Sequence, residues 1–118
     1  MTKKQQGQDR AVKFDGGKIR VDLVDPDFVE GVGKVLTFGA EKYSADNWMK
    51  GLSFRRVLGG MFRHLLAIMR QEDTDPETGL LHAHHLACGC MFIAYMWQRP
   101  AVYAVNDDRQ FNTIITGE

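Results

Sequence analysis

The chain has 118 residues, 15 basic and 15 acidic side chains, and 44% hydrophobic residues. That length is one ordinary domain able to bury a core, and a charged fraction of 25% excludes a disordered polyampholyte. A formal net charge of zero argues against a protein that coats DNA or RNA, and Cys88 and Cys90, two residues apart in an apolar run, cannot staple a secreted disulfide scaffold.

In chain order, residues 1–20 carry six basic side chains against two acidic ones, a local charge of +4. Residues 1–12 read as a flexible basic arm, and the start, Met1 to Arg10, is polar and unlike a signal peptide. The simplest location is then an intracellular, reducing compartment. Gly16-Gly17 marks a turn. The first long helix is expected over 26–43: Asp25 can cap it, Pro26 suits the first helical position, and Phe28, Val32, Val35, Leu36 and Tyr43 recur at helical spacing. Gly31, Gly33 and Gly39 interrupt the pattern, which implies tight helix packing or a break near Gly39.

A second helix is predicted over 54–70, with Ser53 as its cap and Leu58, Met61, Leu65, Ile68 and Met69 as its buried stripe. The loop 71–79 is strongly acidic. A third helix is expected over 79–99, stopping before Pro100. Its run Leu86 to Trp97 is apolar nearly all round but too short to span a bilayer, which takes about 20 residues. It reads as a core helix with one face left for another subunit. In the tail, 101–118, Ala101–Val105 and Phe111–Thr116 suit two small strands or an arm packing on a second subunit.

The acidic loop holds Glu72, Asp73, Asp75 and Glu77. Four carboxylates so close repel one another, and a divalent cation relieves that repulsion; Mg²⁺ and Mn²⁺ prefer such oxygen ligands. A solvated surface loop explains the same charges. His82 and His85, three apart on one helix face, follow directly, and imidazoles beside carboxylates can ligate a metal or act as a base on water. Cys88 and Cys90 point about 200° apart on a helix and do not make a zinc set with them. Lys42 can hold a phosphate, Asn47 can read a base edge, and Tyr43 or Trp48 can stack on a base. Lys13, Lys18, Arg20, Lys42 and Arg63 supply a basic counterpart to the acidic loop.

The order of these pieces carries a resemblance. Lys13-Phe14-Asp15-x-Gly17-Lys18-x-Arg20 precedes Gly39-Ala40-x-Lys42-Tyr43-x-x-x-Asn47-Trp48-x-x-Gly51. Arg63-His64-Leu65-Leu66-Ala67, Glu72-Asp73-x-Asp75-x-Glu77-x-Gly79 and His82-x-x-His85 follow. The chain resembles the phage and bacterial dATP/dGTP diphosphohydrolases, a branch of the all-α, MazG-like nucleotide pyrophosphohydrolases that includes phage members called MazZ. The resemblance covers roughly 13–97. The ExxE motif of typical MazG-like enzymes is missing. Asp27-x-x-Glu30 is a near relative of it, and Glu72-x-x-Asp75 matches the ExxD motif in form.

The resemblance implies an all-α, compact helical bundle over 13–100 in the cytoplasm of a bacterium or phage-infected cell; the thin core of three helices and the apolar face of the third imply a homodimer or homotetramer. It implies hydrolysis of a purine (deoxy)nucleoside triphosphate, dGTP or dATP, to the monophosphate and pyrophosphate with Mg²⁺ or Mn²⁺. Metal ligation falls to Glu72, Asp75, Glu77, His82 and His85 as a set, and proton transfer to Glu77, His82 or His85. Substrate contacts fall to Lys18, Lys42, Tyr43, Asn47, Trp48, Arg63 and His64. Neither a membrane nor a nucleic-acid partner is expected. Two other classes compete: a non-catalytic helical oligomerisation module, and a single-strand nucleic-acid binder using the basic arm with Tyr43 and Trp48.

Overall fold

The computed structural model describes residues 10–109. The N-terminal segment turns at Gly17 and passes through a short 3₁₀ turn, Val21–Leu23, before the first helix, α1, Pro26–Lys42. Asp25 is extended and its carboxylate accepts the backbone N–H of Asp27, so Pro26 enters at a position whose missing N–H costs nothing. No break occurs at Gly39: its carbonyl accepts the backbone N–H of Tyr43 at 2.9 Å, and the helix ends after Lys42.

A second 3₁₀ turn, Asn47–Lys50, leads to α2, Phe54–Met69. The Ser53 hydroxyl accepts the backbone N–H of Arg56, as the sequence implies for a cap. The Asp108 carboxylate adds a second cap from far along the chain, accepting the N–H of Arg55 at 2.9 Å and bonding the Ser53 hydroxyl. The expected stripe on α2 holds in part: Leu58, Met61 and Ile68 are half-buried. Phe54 and Ala67 are the buried residues, while Leu65 is 41% and Met69 73% exposed. The true inner face rotates toward α3, and 65 and 69 fall beyond its edge.

The third helix, α3, His82–Trp97, starts three residues later than the periodicity suggests. Gly79 has φ +73°, a left-handed conformation that bends the chain, and Leu81 is extended, so regular helix begins only at His82. The helix closes at Trp97, and Pro100 starts a further helix, α4, Pro100–Asn106. Ala101–Val105 is therefore helical and not a strand, because Pro100 presets the first helical φ and Asn106 returns its amide to the Val102 carbonyl. Phe111–Thr116 and most of the basic arm lie outside the described residues, which contain no strand beyond a single bridge, Thr74 to Leu81.

The protein is all-α. The nearly uniform apolarity of α3 makes it the central element, packed against α1, α2, α4 and the second 3₁₀ turn. Phe54 and Met96 are fully buried, each removal from water contributing about 1.5–3 kcal/mol. Met96 also accepts the backbone N–H of Leu52 at its sulfur, 3.4 Å, which fixes the linker into α2. Where α1 meets α3, Gly31 leaves room for the His84 imidazole, which lies edge-on to Phe28. Among the described residues no helix is long and apolar enough to cross a membrane.

Candidate functional site: a histidine–carboxylate cluster beside an apolar cleft

The acidic loop is not merely solvated charge. It is folded by its own backbone. Glu72 donates to the Ala67 carbonyl at the end of α2, Asp75 N–H reaches the Leu80 carbonyl at 2.8 Å, and His82 N–H reaches the Asp73 carbonyl at 2.9 Å. The Asp75 carboxylate accepts the N–H of Glu77 at 2.7 Å, and Thr78 Oγ1 accepts that of Leu80. Those bonds turn Asp75 inward, half-buried, while Asp73 and Glu77 stay exposed. Burial alone would raise the Asp75 pKa. The backbone N–H groups of Glu77 and Thr78, with the nearby imidazoles, outweigh it and hold the carboxyl below its ordinary value.

Opposite this loop, α2 presents His64. Its Nδ1 lies 2.8 Å from Nδ1 of His82, the first residue of α3 and 5% exposed. His64, Asp75 and His82 each bring a ligand atom within 4.8 Å of the others. The other His82 nitrogen, Nε2, is buried with no hydrogen-bond partner and sits 3.7 Å from Glu72 Oε1. His85, one turn further along α3, stacks on His64 with ring planes 6° apart and centroids 4.7 Å apart. Its Nε2 is 2.8 Å from the Thr78 hydroxyl and 4.0 Å from Asp75 Oδ2. Burial pushes the pKa of His64 below the ordinary imidazole value, reinforced by the charges of His85 and His82. Burial pushes His85 down as well, against the pull of Asp75. Both rings are therefore neutral at neutral pH, the form that lends a lone pair to a metal.

The imidazoles of His64 and His82, facing one another across 2.8 Å next to the Asp75 carboxylate, form a donor set that fits a divalent ion. The other nitrogen of His82, Nε2, is buried without a hydrogen-bond partner on the side of the ring toward Glu72. A buried polar atom left without a partner costs about 1–3 kcal/mol.

His64 and His85 also line a cleft of ≈570 Å³ between α1, α2, α3 and the second 3₁₀ turn. Its walls are mostly apolar, including Phe38, Val57, Met61 and Phe92, with Lys42, Asn47, Ser53 and Arg56 as polar groups. That mixture, and that size, suit a small organic ligand. Trp48 lines the cleft but is already engaged, stacked on Phe92 at 5.2 Å and edge-on to Tyr95 at 4.7 Å. Cys88 also lines it, with burial pushing its thiol up to about 11, so it is an inert wall.

Of the residues singled out from sequence, the fold gathers Asp75, His82, His85 and His64 in one place, with Glu72 at its edge. His64, expected among substrate contacts, is a member of the cluster. Glu77 stands apart from it, 3.9 Å from Lys42 Nζ and largely exposed. Lys42, Tyr43, Asn47 and Trp48 line the cleft. Lys18 and Arg63 are exposed and do not line it; the Arg63 guanidinium folds back along Gly59 and Gly60 on its own helix. Asp27 and Glu30 are also exposed on α1, where Glu30 pairs with Lys34 at 3.7 Å. Two residues escaped the sequence reading. Arg56 lines the cleft one turn into α2, and Thr78 holds His85. The only cue for Thr78 was its place in a turn-forming Asp-Pro-Glu-Thr-Gly run.

Fold and site together define an all-α domain with a histidine–carboxylate cluster on the wall of an apolar cleft. A model of the family described as "dATP/dGTP diphosphohydrolase, N-terminal" matches residues 8–107, and the chain belongs to that family. It is 42% identical over 107 residues, 90% of its length, to a curated dATP/dGTP diphosphohydrolase of Salmonella phage PMBT28. The chain spans 35% of that relative's length. No solved structure matches it.

Proposed function

We propose that this domain hydrolyses a purine deoxynucleoside triphosphate, dGTP or dATP, to the monophosphate and pyrophosphate, with a divalent ion held by His64, Asp75 and His82. The observation that carries the reading is the double role of His64, which belongs both to the donor cluster and to the cleft wall. A base held in the cleft brings its phosphates toward the same histidine. The name of the phage relative supports the substrate class.

An ion at the cluster would neutralise phosphoryl oxygens and lower the pKa of a bound water. The chain's own residues do the rest. The apolar walls with Asn47, Tyr43 and Trp48 seat the purine and exclude water from its faces. Lys42 and Arg56 offset charge on the polyphosphate and on the departing pyrophosphate. His85 takes the proton from the attacking water. Its depressed pKa keeps it unprotonated at pH 7, and Thr78 fixes its ring. Water adds to the α-phosphorus, the α–β bridging bond breaks, and pyrophosphate leaves with that oxygen. A Mg²⁺ or Mn²⁺ ion would be shared with the triphosphate oxygens, apart from the ion of the histidine cluster, as is usual for phosphate substrates.

The same reading includes self-association. Phe62, Leu66 and Met69 form an exposed apolar stripe on α2, and a second copy of the chain as homodimer or homotetramer covers it. The enzymatic reading is tested by incubating the protein with dGTP or dATP and Mg²⁺, Mn²⁺, Co²⁺ or Zn²⁺ and separating the products chromatographically. Equal amounts of monophosphate and pyrophosphate are expected, and His85→Ala is expected to lower kcat by about 10²–10⁴-fold. Intact triphosphate under every combination overturns the reading.

A further inference from the structure

We propose that the ion bound by His64, Asp75 and His82 is of the Fe²⁺, Co²⁺, Ni²⁺ or Zn²⁺ class rather than Mg²⁺, and that Glu72 positions it by holding the far side of His82. The inference rests on the metal-site reading above and adds the class of ion and the role of Glu72.

The donor chemistry comes first. Mg²⁺ demands near-octahedral oxygen ligands and gives up its waters reluctantly, whereas imidazole nitrogen suits the later first-row ions. The sequence offered three carboxylates, Glu72, Asp75 and Glu77, beside His82 and His85, yet the fold does not gather the carboxylates into an oxygen cage. Glu77 pairs with Lys42, Asp73 is exposed, and a single carboxylate, Asp75, joins two imidazoles. Two nitrogens and one oxygen form the set that takes a borderline ion with coordination positions left open.

Geometry assigns the nitrogens. His82 meets His64 through Nδ1, at 2.8 Å. If Nδ1 gives its lone pair to an ion, the ring proton must sit on Nε2. That atom is buried and without a hydrogen-bond partner; Glu72 Oε1, the carboxylate oxygen 3.7 Å away, is beyond hydrogen-bond length and would close by about 1 Å to take its proton when the ion binds. A carboxylate behind a ligating imidazole fixes the tautomer and raises ligand basicity. Glu72 itself is tied to α2 by its N–H to the Ala67 carbonyl at 2.9 Å, so loop and helix present it together. His85 is engaged with Thr78 and stays outside the ligand set, leaving room for water or a phosphate oxygen.

The test is direct binding to metal-stripped protein, read by isothermal titration calorimetry and, for Co²⁺, by visible d–d absorption. One Co²⁺ or Zn²⁺ per chain is expected, on the order of 100-fold or more tighter than Mg²⁺. His64→Gln and Asp75→Asn should each abolish the Co²⁺ spectrum while circular dichroism stays helical. Glu72→Gln should keep the spectrum but weaken binding by about 10–100-fold. Because His82 is buried, its variants can unfold the chain, and the test does not depend on them. Mg²⁺ binding as tight as Co²⁺, or a Co²⁺ spectrum unchanged in His64→Gln, overturns the proposal, and Glu72→Gln binding like the parent overturns the role of Glu72. These outcomes are independent of turnover. Tight Co²⁺ binding without hydrolysis sinks the hydrolase reading alone, whereas hydrolysis with Mg²⁺ and no Co²⁺ site sinks this one alone.

Discussion

At the scale of single residues, glycines that look alike in sequence have opposite duties. A Cβ on Gly31 would collide with the His84 imidazole, whereas one on Gly33, two residues away, would meet nothing within 4 Å. Helix propensity favours alanine at both by up to about 1 kcal/mol. At Gly31, overpacking against a ring already seated on Phe28 opposes that gain by about 1–3 kcal/mol. Gly33→Ala should therefore raise the stability measured by urea denaturation, and Gly31→Ala should lower it. Charge acts at the same scale. Arg109 beside Asp107 holds its carboxyl down at about 2, and the Ser53 hydroxyl and Arg55 N–H hold Asp108 below the usual carboxylate range. Carboxyls whose folded pKa is depressed stabilise fully above their unfolded value, about 3.9, and lose that contribution as pH falls through the folded one. The melting temperature should drop between about pH 4 and about pH 2 partly for this reason. Asp107→Asn with Asp108→Asn should lower it at neutral pH and flatten that acid limb.

At the scale of elements, α4 and the residues just after it clamp the start of α2. Phe54, 1% exposed, takes Tyr103 edge-on at 5.6 Å and the Arg109 guanidinium over its ring at 5.1 Å, while Asp108 caps the same helix. Phe54→Ala empties that junction and should cost about 3–5 kcal/mol in chemical denaturation. Because α2 carries His64, the same change should loosen the donor cluster, seen as weaker Co²⁺ binding. The position of α3 matters in the same way. Its late start at His82 lets the acidic loop fold onto the helix end, which brings Asp75 inward beside His82 and His64.

At the scale of the whole molecule, the described residues bury few side chains completely and leave many large apolar ones in solvent. Phe62 is 65% and Trp97 67% exposed. Isolated exposed apolar residues are ordinary, but Phe62, Leu66 and Met69 recur at helical spacing along one side of α2. Sedimentation velocity should show an assembly larger than the monomer, and Phe62→Ser with Met69→Ser should dissociate it without loss of helicity. A parent protein that sediments as a monomer at tens of micromolar would remove the self-association proposed above.

The all-α class, the cap residues Asp25 and Ser53, and the approximate spans of three helices are local properties, so they were legible in residue order alone. The family was legible too, because its motifs are short and their order is linear. Local patterns could not fix the edge of the inner face of α2, which is why Leu65 and Met69 were misplaced, nor see that Pro100 begins a helix as well as ending one. The site was half legible. Asp75, His82 and His85 stand close in sequence, but His64 is 18 residues from His82 on another helix, and only the packing of α2 on α3 sets their Nδ1 atoms face to face. Likewise four carboxylates in a row read as equivalent. Backbone hydrogen bonds within the folded loop are what send Asp75 inward and leave Glu77 to Lys42. Composition and spacing set which chemistry was present; convergence of distant backbone segments decided which side chains share it.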